Sequence, residues 1–209
     1  MLVRDIMSSP VITITPDTRM QDAYRLMQEK GIRHLPVIDR NGLVGVITDR
    51  DLRLATSALS PSPFPPDSQV AEAMCRNPLT ADAGDPVEDA ARTMRDRKIG
   101  CLPVLEEEQL VGIITGVNLL DALMRMTGVH KPSGRLEVRL PDRPGELARL
   151  TSFLSQRDLN IHSILTTPEG PDLIRAVLRV GSIEVRALAM DMRRAEFDVL
   201  WPPEKPCRR

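Results

Sequence analysis

The hydrophobic and polar positions in the first half of the chain follow one pattern that occurs twice. In the first copy, residues 11–15 predict a short strand, and apolar residues at helical spacing predict a helix that ends at Gly31. Two β-branched runs then flank Asn41-Gly42, which predicts a hairpin, and a second helix is expected to begin near Asp49. The apolar positions of the first helix are Met20, Ala23, Leu26 and Met27.

The repeat has a constant offset of 67 residues, which is the distance from Ile32 to Ile99. Residues 32–38 return as residues 99–105, and residues 43–52 return as residues 110–119. A duplication of this kind predicts two similar units packed face to face, with equivalent clefts between them. The proline-rich residues 57–67 predict a stiff linker between the two copies.

The last third of the chain has a different pattern. Residues 135–140 alternate between polar and apolar side chains, as a half-buried strand does, and an amphipathic helix follows. Two further strands, a second helix and a last short strand complete the order β-α-β-β-α-β, which predicts a ferredoxin-like domain. The apolar stripe predicted for the first of these helices consists of Leu147, Leu150 and Leu154.

Composition and charge exclude several classes of protein. With 28 basic and 29 acidic residues the formal net charge is −1, so no overall positive field attracts nucleic acid or an anionic membrane. Aromatic residues make up only 2%, which argues against binding of single-stranded nucleic acid by stacking. The sequence has no apolar run of membrane-spanning length and no signal-peptide pattern after Met1, so a soluble, cytoplasmic protein is expected.

The cysteines and histidines do not form a reactive or metal-binding set. Three widely spaced cysteines, Cys75, Cys101 and Cys207, argue against a disulfide framework and against a zinc site. The sequence also lacks a serine or cysteine triad pattern and a phosphate-binding loop. It therefore predicts no catalytic residues, no metal and no catalytic cofactor.

The segment Thr48-Asp49-Arg50-Asp51 stands where a predicted strand ends and a predicted helix begins. At such a position free backbone amides favour phosphate, and a carboxylate can accept hydrogen bonds from two vicinal ribose hydroxyls. The alternative is structural: Thr48 or Asp49 is an N-cap, and Asp51 interacts with the helix dipole. The duplication favours the binding role, because it would place two such turns near one cleft.

Residues 3–124 resemble a tandem pair of CBS domains, the nucleotide-sensing Bateman module. The resemblance rests on the opening Val3-x-Asp5-Ile6-Met7, on the two Ile-x-x-Leu-Pro-Val blocks, and on the Gly-h-h-Thr-x-x-Asp block that ends at Asp51. Members of this family bind AMP, ADP, ATP or S-adenosylmethionine in clefts between the two copies. The resemblance therefore implies an adenosyl nucleotide as the regulatory ligand, with adenine on one copy and ribose and phosphate on the other.

Carried over by position, the resemblance implies one strong site and one weaker site. The implied contacts of the first site are Asp51 for the ribose, Thr48, Arg33 and His34 for the phosphate, and Val70, Met74, Ile99 and Gly100 for the base. Those of the second site are Val3, Met7, Ile32, Thr115 and Asn118. The second site is expected to be weaker because the amide of Asn118 accepts a hydrogen bond less strongly than a carboxylate, by about 1 kcal/mol.

Residues 135–200 resemble an ACT domain, a regulatory fold that often binds amino acids at dimer interfaces. The turn at residues 142–147, Asp-Arg-Pro-Gly-Glu-Leu, and the later Leu-Asn-Ile segment carry the resemblance. An ordinary strand-to-helix turn also explains Pro144 and Gly145 without any ligand. The implied amino-acid site consists of Asp142, Gly145 and Leu147, together with Asn160 and Ile161 of the partner subunit.

The whole sequence therefore predicts an α/β (α+β) protein with a tandem CBS domain pair, residues 1–60 and 61–127, and a C-terminal ferredoxin-like ACT domain, residues 135–200. This order resembles the acetoin-utilisation family of bacterial regulatory proteins. The leading hypothesis is a non-enzymatic, homodimeric sensor that binds an adenosyl nucleotide, and an amino acid at the ACT interface, and controls an unidentified metabolic partner. The alternatives are a structural dimerisation module with vestigial sites and a nucleotide-processing enzyme.

Overall fold

The structure is a computed structural model that describes residues 1–204, so that Cys207 lies outside the described residues. The chain divides into two compact units, Met1–Ala122 and Leu123 onward. The first unit contains both repeats, and the second contains the C-terminal domain.

The first repeat consists of two helices and a hairpin: α1 (Met20–Lys30), β1 (His34–Asp39), β2 (Gly42–Thr48) and α2 (Asp49–Ala55). The predicted helix end is confirmed, because Gly31 has a left-handed backbone with φ of 63°. The hairpin is also confirmed, although its turn lies one residue earlier than expected. Asp39 pairs with Gly42, so Arg40 and Asn41 form the loop and Gly42 begins β2.

The second repeat has the same two helices and hairpin at the expected offset: α3 (Val87–Arg97), β5 (Cys101–Glu106), β6 (Gln109–Thr115) and α4 (Gly116–Thr127). Two short strands precede them, β3 (Cys75–Arg76) and β4 (Ala81–Asp82). Here Lys98 adopts the left-handed conformation that Gly31 has in the first repeat. The prediction of a strand at residues 11–15 is wrong. Only Ile14 forms a bridge, to Val37, because the segment makes a single pair of backbone hydrogen bonds with the edge of β1.

The two repeats exchange their opening segments. Val3 and Ile6 are buried in the hydrophobic core of the second repeat, whereas Val70 and Met74 are buried in the core of the first. The exchange extends to the sheets, since the three-stranded sheet of the first repeat has the order β1-β2-β3 and its third strand follows the opening segment of the second repeat. Each core is therefore completed by residues from the other copy.

The C-terminal unit confirms the predicted β-α-β-β-α-β order. Its elements are β7 (Gly134–Pro141), α5 (Glu146–Ser155), β8 (Ile161–Pro168), β9 (Leu173–Val180), α6 (Val185–Arg194) and β10 (Asp198–Trp201). The antiparallel sheet has the order β10-β7-β9-β8, which leaves β8 at one edge. Leu150 and Leu154 pack in the core as expected, but Leu147 is 40% exposed and does not continue the buried stripe.

Two features of the described residues concern membranes and metal ions. None of the helices in residues 1–204 is long and apolar enough to cross a membrane. Over the same residues, His, Cys, Asp and Glu side chains do not gather in any group of three that could hold a metal ion.

Candidate functional site

The start of α2 is organised by a pair of reciprocal contacts between Thr48 and Asp51. The Thr48 Oγ1 accepts a hydrogen bond from the backbone N–H of Asp51 at 3.1 Å. The Asp51 Oδ2 accepts from the backbone N–H of Thr48 at 3.0 Å and from its hydroxyl at 2.7 Å. This capping box confirms the structural role considered for Thr48. It uses only Oδ2, so Oδ1 of Asp51 has no hydrogen-bond partner within the described part of the chain.

His34 lies beside this pair. His34 and Thr48 are directly opposite one another in the β1–β2 hairpin, so their side chains project from the same face of the sheet. The carbonyl of Arg33 accepts a hydrogen bond from the N–H of Asp49 at 3.0 Å, which ties the start of β1 to the start of α2. These contacts bring the side chains of His34, Thr48 and Asp51 together, with the backbone of Arg33 beside them. Their contact with a nucleotide remains a prediction.

Gly100 of the second repeat completes this group. A β-carbon built on Gly100 would lie 2.7 Å from Nε2 of His34, so the imidazole lies directly against the glycine. Gly100 comes from the other copy, and the group therefore spans both repeats. We refer to Arg33, His34, Thr48, Asp51 and Gly100 as the Asp51 cluster.

The charge state of His34 is set by its surroundings. Burial lowers the pKa of His34 below its ordinary value of 6.5, and the positive charge of Arg33 acts in the same direction. The carboxylates of Asp49 and Asp51 act in the opposite direction, with smaller effect. The imidazole is therefore neutral at pH 7 and can accept a proton when a further negative charge arrives.

The equivalent position in the second repeat has the same geometry but different chemistry. Oδ1 of Asn118 accepts from the backbone N–H of Thr115 at 2.8 Å and from its hydroxyl at 2.7 Å. The amide of Asn118 also donates to Oγ of Ser8 at 3.3 Å. Cys101 stands opposite Thr115, where the first repeat has His34 opposite Thr48. We refer to Ser8, Cys101, Thr115 and Asn118 as the Asn118 cluster.

Cys101 is a buried, neutral thiol. It packs with Val46 and Ile113 in a small hydrophobic cluster formed by both repeats. Burial raises the pKa of Cys101 to about 12, with smaller contributions from Asp51 and Cys75. The Asn118 cluster consequently carries no ionised side chain.

The apolar residues predicted around the base lie where the opening segments enter the cores. The side chains of Val3 and Val70 are completely buried. The sulfur atoms of Met7 and Met74 lie against Gly112 and Gly45, where an added β-carbon would come within 2.5 and 2.6 Å of them. Ile32 and Ile99 are partly buried and pack against the core of their own repeat. A direct contact of these six residues with a base remains a prediction.

In the C-terminal unit, the turn at residues 142–147 is held together by a buried carboxylate. Gly145 is the N-cap of α5 with φ of 96°, and Glu146 directly after it is only 7% exposed. Arg143 donates two hydrogen bonds to Oε1 of Glu146, at 2.9 and 2.8 Å, and Arg149 donates one to Oε2 at 3.0 Å. The hydrogen bonds from Arg143 lower the pKa of Glu146, and the hydrogen bond from Arg149 lowers it further by a smaller amount. These contacts stabilise the turn from within the chain.

The other part of the predicted amino-acid site lies at the opposite end of α5. Asn160 and Ile161 line an open cavity of about 430 Å³ together with Thr151 and Ser155 of that helix. The 10 residues of α5 span roughly 15 Å from the end beside Asp142 and Gly145 to the end beside Asn160 and Ile161. Leu147 lies within the helix, one turn before Thr151. Within one subunit the five predicted residues therefore do not form one site.

The outer face of the C-terminal sheet carries a network of charges. Glu169, just after β8, accepts hydrogen bonds from Arg175 at 3.0 and 3.1 Å and from Arg139 at 2.9 Å. Arg139 also donates to Asp198 at 2.7 Å. Hydrogen bonds from Arg175 and Arg139 lower the pKa of Glu169 to about 2.

Three residues near these clusters were not among the predicted site residues. Ser8 contacts Asn118, and Gly45 and Gly112 make room for the methionine sulfurs. The repeat itself contains a signal for the two glycines, because both stand at the same place in the repeated Leu-Val-Gly block. Ser8 has no such signal, because its equivalent is Cys75.

Comparison with known families identifies the class of protein. The CBS domain family model matches residues 3–57 and 70–125, which together make up more than half of the chain. The ACT domain family model matches residues 134–196. The chain therefore belongs to the CBS domain family and has a C-terminal ACT domain, which confirms the predicted fold class. Proteins built from these two domains are typically regulatory.

Individual relatives add detail. A CBS domain-containing protein of Dictyostelium discoideum is 39% identical over 138 residues, which cover 60% of this chain and 92% of the relative. A solved structure from Vibrio cholerae, named for acetoin utilization (AcuB), has a TM-score of 0.55 at 29% identity and covers 64% of this chain and 98% of its own.

Two further solved structures contain adenosine ligands. A CBS domain pair in complex with 5′-methylthioadenosine and S-adenosyl-L-methionine has a TM-score of 0.54 at 30% identity, covering 63% of this chain and 98% of that one. The protein CBSX2 in complex with AMP has a TM-score of 0.54 at 30% identity, covering 60% and 97%. CBS pairs similar to this chain therefore bind adenosyl ligands.

Proposed function

We propose that this protein is a regulatory sensor that binds an adenosine nucleotide between its two repeats, at the Asp51 cluster. The observation that carries the proposal is the capping box of Thr48 and Asp51, which orients the carboxylate and leaves its Oδ1 without a hydrogen-bond partner among residues 1–204. The similarity to CBS pairs in complex with AMP and with S-adenosylmethionine supports an adenosyl ligand.

Each residue of the cluster has a distinct task in this proposal. Oδ1 of Asp51 accepts hydrogen bonds from the ribose hydroxyls, and these bonds are strengthened by the negative charge. Arg33, which is exposed, and His34 contact the phosphate. Val70 and Met74 from the opening segment of the second repeat, together with Ile99 and Gly100, surround the base. The Asn118 cluster offers a second, weaker site.

Regulation requires that the nucleotide bind one conformation of the protein more tightly than another. The cluster is suited to such coupling because it takes Gly100 from the second repeat and the other four residues from the first. A bound nucleotide would therefore favour one spacing of the repeats, and the regulated partner would respond to that spacing. The sensor would act in the cytoplasm, where it would meet both nucleotide and partner.

The C-terminal domain supports homodimerisation. Its edge strand β8 is eight residues long, and it exposes 38% of Ile164 and 37% of Leu165. A long unpaired edge strand favours pairing with another strand, and we propose the β8 strand of a second copy. An amino acid would then bind where Asp142, Gly145 and Leu147 of one subunit meet Asn160 and Ile161 of the partner subunit.

The decisive experiment is isothermal titration calorimetry of the ligand-free protein with AMP, ADP, ATP and S-adenosylmethionine. The matched variant is Asp51→Asn, because Asn118 shows that an amide oxygen can accept the same two hydrogen bonds from the threonine. We expect saturable binding of at least one compound, and affinity at least about tenfold weaker in Asp51→Asn. Asn118→Gln provides the control at the second site.

Two results would contradict the proposal. Failure of a folded, ligand-free protein to bind any of the four compounds would favour a dimerisation module with vestigial sites. Turnover of bound ATP, detected as ADP or AMP by chromatography, would favour a nucleotide-processing enzyme.

A further inference from the structure

The two clusters have the same geometry, but only one of them is charged. The Asp51 cluster and its surroundings contain Arg33, His34, Asp49 and Asp51. At the offset of 67 residues, their equivalents are Gly100, Cys101, Gly116 and Asn118. Every ionisable side chain of the first position is thus replaced by an uncharged one in the second, since the Cys101 thiol is also neutral.

The arrangement around His34 is asymmetric in charge. Arg33 directly precedes His34 in the chain, and Asp49 and Asp51 approach from α2. The segment Gly100-Cys101, which packs against His34 from the second repeat, contributes no charge. The imidazole is half-buried and neutral, so it is ready to accept a proton. Arg33 is exposed, and none of the described residues forms an ion pair with it.

These features distinguish between two kinds of adenosine ligand. A phosphate dianion beside Arg33 and His34 gains charge-assisted hydrogen bonds, and its negative charge makes protonation of the imidazole favourable. A sulfonium group at the same place would meet the positive charge of Arg33 and would gain nothing from a protonated His34. Uncharged adenosine would gain neither benefit.

We propose that the Asp51 cluster selects an adenosine ligand that carries a phosphate over one that carries a sulfonium, and that the bound phosphate draws a proton from solvent onto the imidazole of His34. This inference rests on the proposed function and specifies its ligand class. The uptake of a proton by His34 also makes nucleotide affinity fall as the pH rises above neutrality, because the bound complex requires a proton that becomes scarcer.

The test is calorimetry of the full chain with AMP, adenosine and S-adenosylmethionine in two buffers of different ionisation enthalpy, at about pH 7.5, where the phosphate is already a dianion. We expect AMP to bind most tightly and to take up a fraction of one proton, and we expect no proton uptake with the other two ligands. His34→Gln should abolish the uptake, and the matched control His130→Gln should not. Arg33→Gln, at an exposed position, should weaken AMP binding about tenfold without changing adenosine binding.

Nuclear magnetic resonance of the histidine ring protons supplies an independent readout. The resonance lost in His34→Gln should titrate below 6.5 in the free protein and at higher pH with AMP bound. If adenosine binds as tightly as AMP, or if AMP binds without moving this resonance, the inference is overturned while the proposed function stands. If none of the three compounds binds, the proposed function itself has failed.

Discussion

His34 of the first repeat lies against Gly100 of the second, so closely that a β-carbon on Gly100 would come within 2.7 Å of the imidazole Nε2. The contact joins the two copies at the residues that the sequence marks for ligand binding. It also explains why Gly100 cannot simply be exchanged for the arginine that stands at the equivalent position 33. A side chain at position 100 and the imidazole of His34 would compete for the same space.

Substitution of Gly100 should therefore affect binding more than stability. In Gly100→Ala the imidazole must move, but it is the far end of a side chain and can rotate, so the free energy of unfolding should change by less than about 1 kcal/mol. AMP affinity, measured by calorimetry, should fall because His34 no longer occupies its place. Gly116→Ala is the matched control, since an added β-carbon there meets no atom within 4 Å. Unchanged AMP affinity in Gly100→Ala would contradict this prediction.

Gly45 should behave in the opposite way. An added β-carbon would lie 2.6 Å from the sulfur of Met74 and 3.0 Å from the backbone oxygen of Cys75, and a backbone atom cannot rotate aside. Gly45→Ala should therefore lower the free energy of unfolding by about 1–3 kcal/mol, measured by urea denaturation. Gly112→Ala should have a similar effect, because it meets Met7 in the same way. A denaturation midpoint equal to that of Gly116→Ala would show that the opening segment yields more easily than expected.

The two described cysteines should differ in reactivity. Cys75 is exposed, whereas Cys101 is buried and its pKa is raised to about 12, so almost none of its thiol is ionised at pH 8. Iodoacetamide should modify Cys75 in the native protein and leave Cys101 unmodified, as measured by mass spectrometry of the peptides. Both should react in urea. Equal labelling of the two cysteines without denaturant would mean that the cluster formed by both repeats opens readily.

The charge network of the C-terminal sheet should make stability depend on pH. The pKa of Glu169 falls from its ordinary value of 4.5 to about 2 in the folded protein. A depressed pKa contributes stability that is fully present above 4.5 and is lost as the pH falls from 4.5 towards 2. Calorimetric scans of the full chain should show the melting temperature of the C-terminal domain falling over this range.

The variant Glu169→Gln tests which carboxylate is responsible. It should melt at a lower temperature than the natural chain at pH 7 and should lose part of the decline in acid. Glu184→Gln is the control in the same domain, because Glu184 forms no ion pair with another described residue. An acid decline of the same size in Glu169→Gln would assign the effect to other carboxylates.

Much of this fold could be predicted because its signals are local. The hairpin of the first repeat and the helix that ends at Gly31 follow from spacing within a few residues. The Thr48–Asp51 pair could be predicted for the same reason, because two residues three positions apart at the start of a helix lie close together. The second copy repeats the last of these signals, with Thr115 and Asn118 at the start of α4.

The remaining features depend on contacts between distant parts of the chain. Leu147 is exposed although its spacing fits the buried stripe, and residues 11–15 form only one bridge although their pattern fits a strand. Contacts with the rest of the fold, not local spacing, determine both features. The contact of His34 with Gly100 joins residues 66 positions apart, as their numbers show. Local spacing contains no pattern that reports such a contact, and only the resemblance to CBS pairs placed the two residues in one site.

Because the repeats exchange their opening segments, neither repeat can complete its hydrophobic core alone. Val3 fills the core of the second repeat and Val70 fills the core of the first, so a chain cut in the linker would leave each half with an unfilled hole. The two repeats, which are separate in sequence, thus form one cooperative folding unit. Cleaved halves should be unstable alone and should reassemble with each other when mixed, as obligate partners.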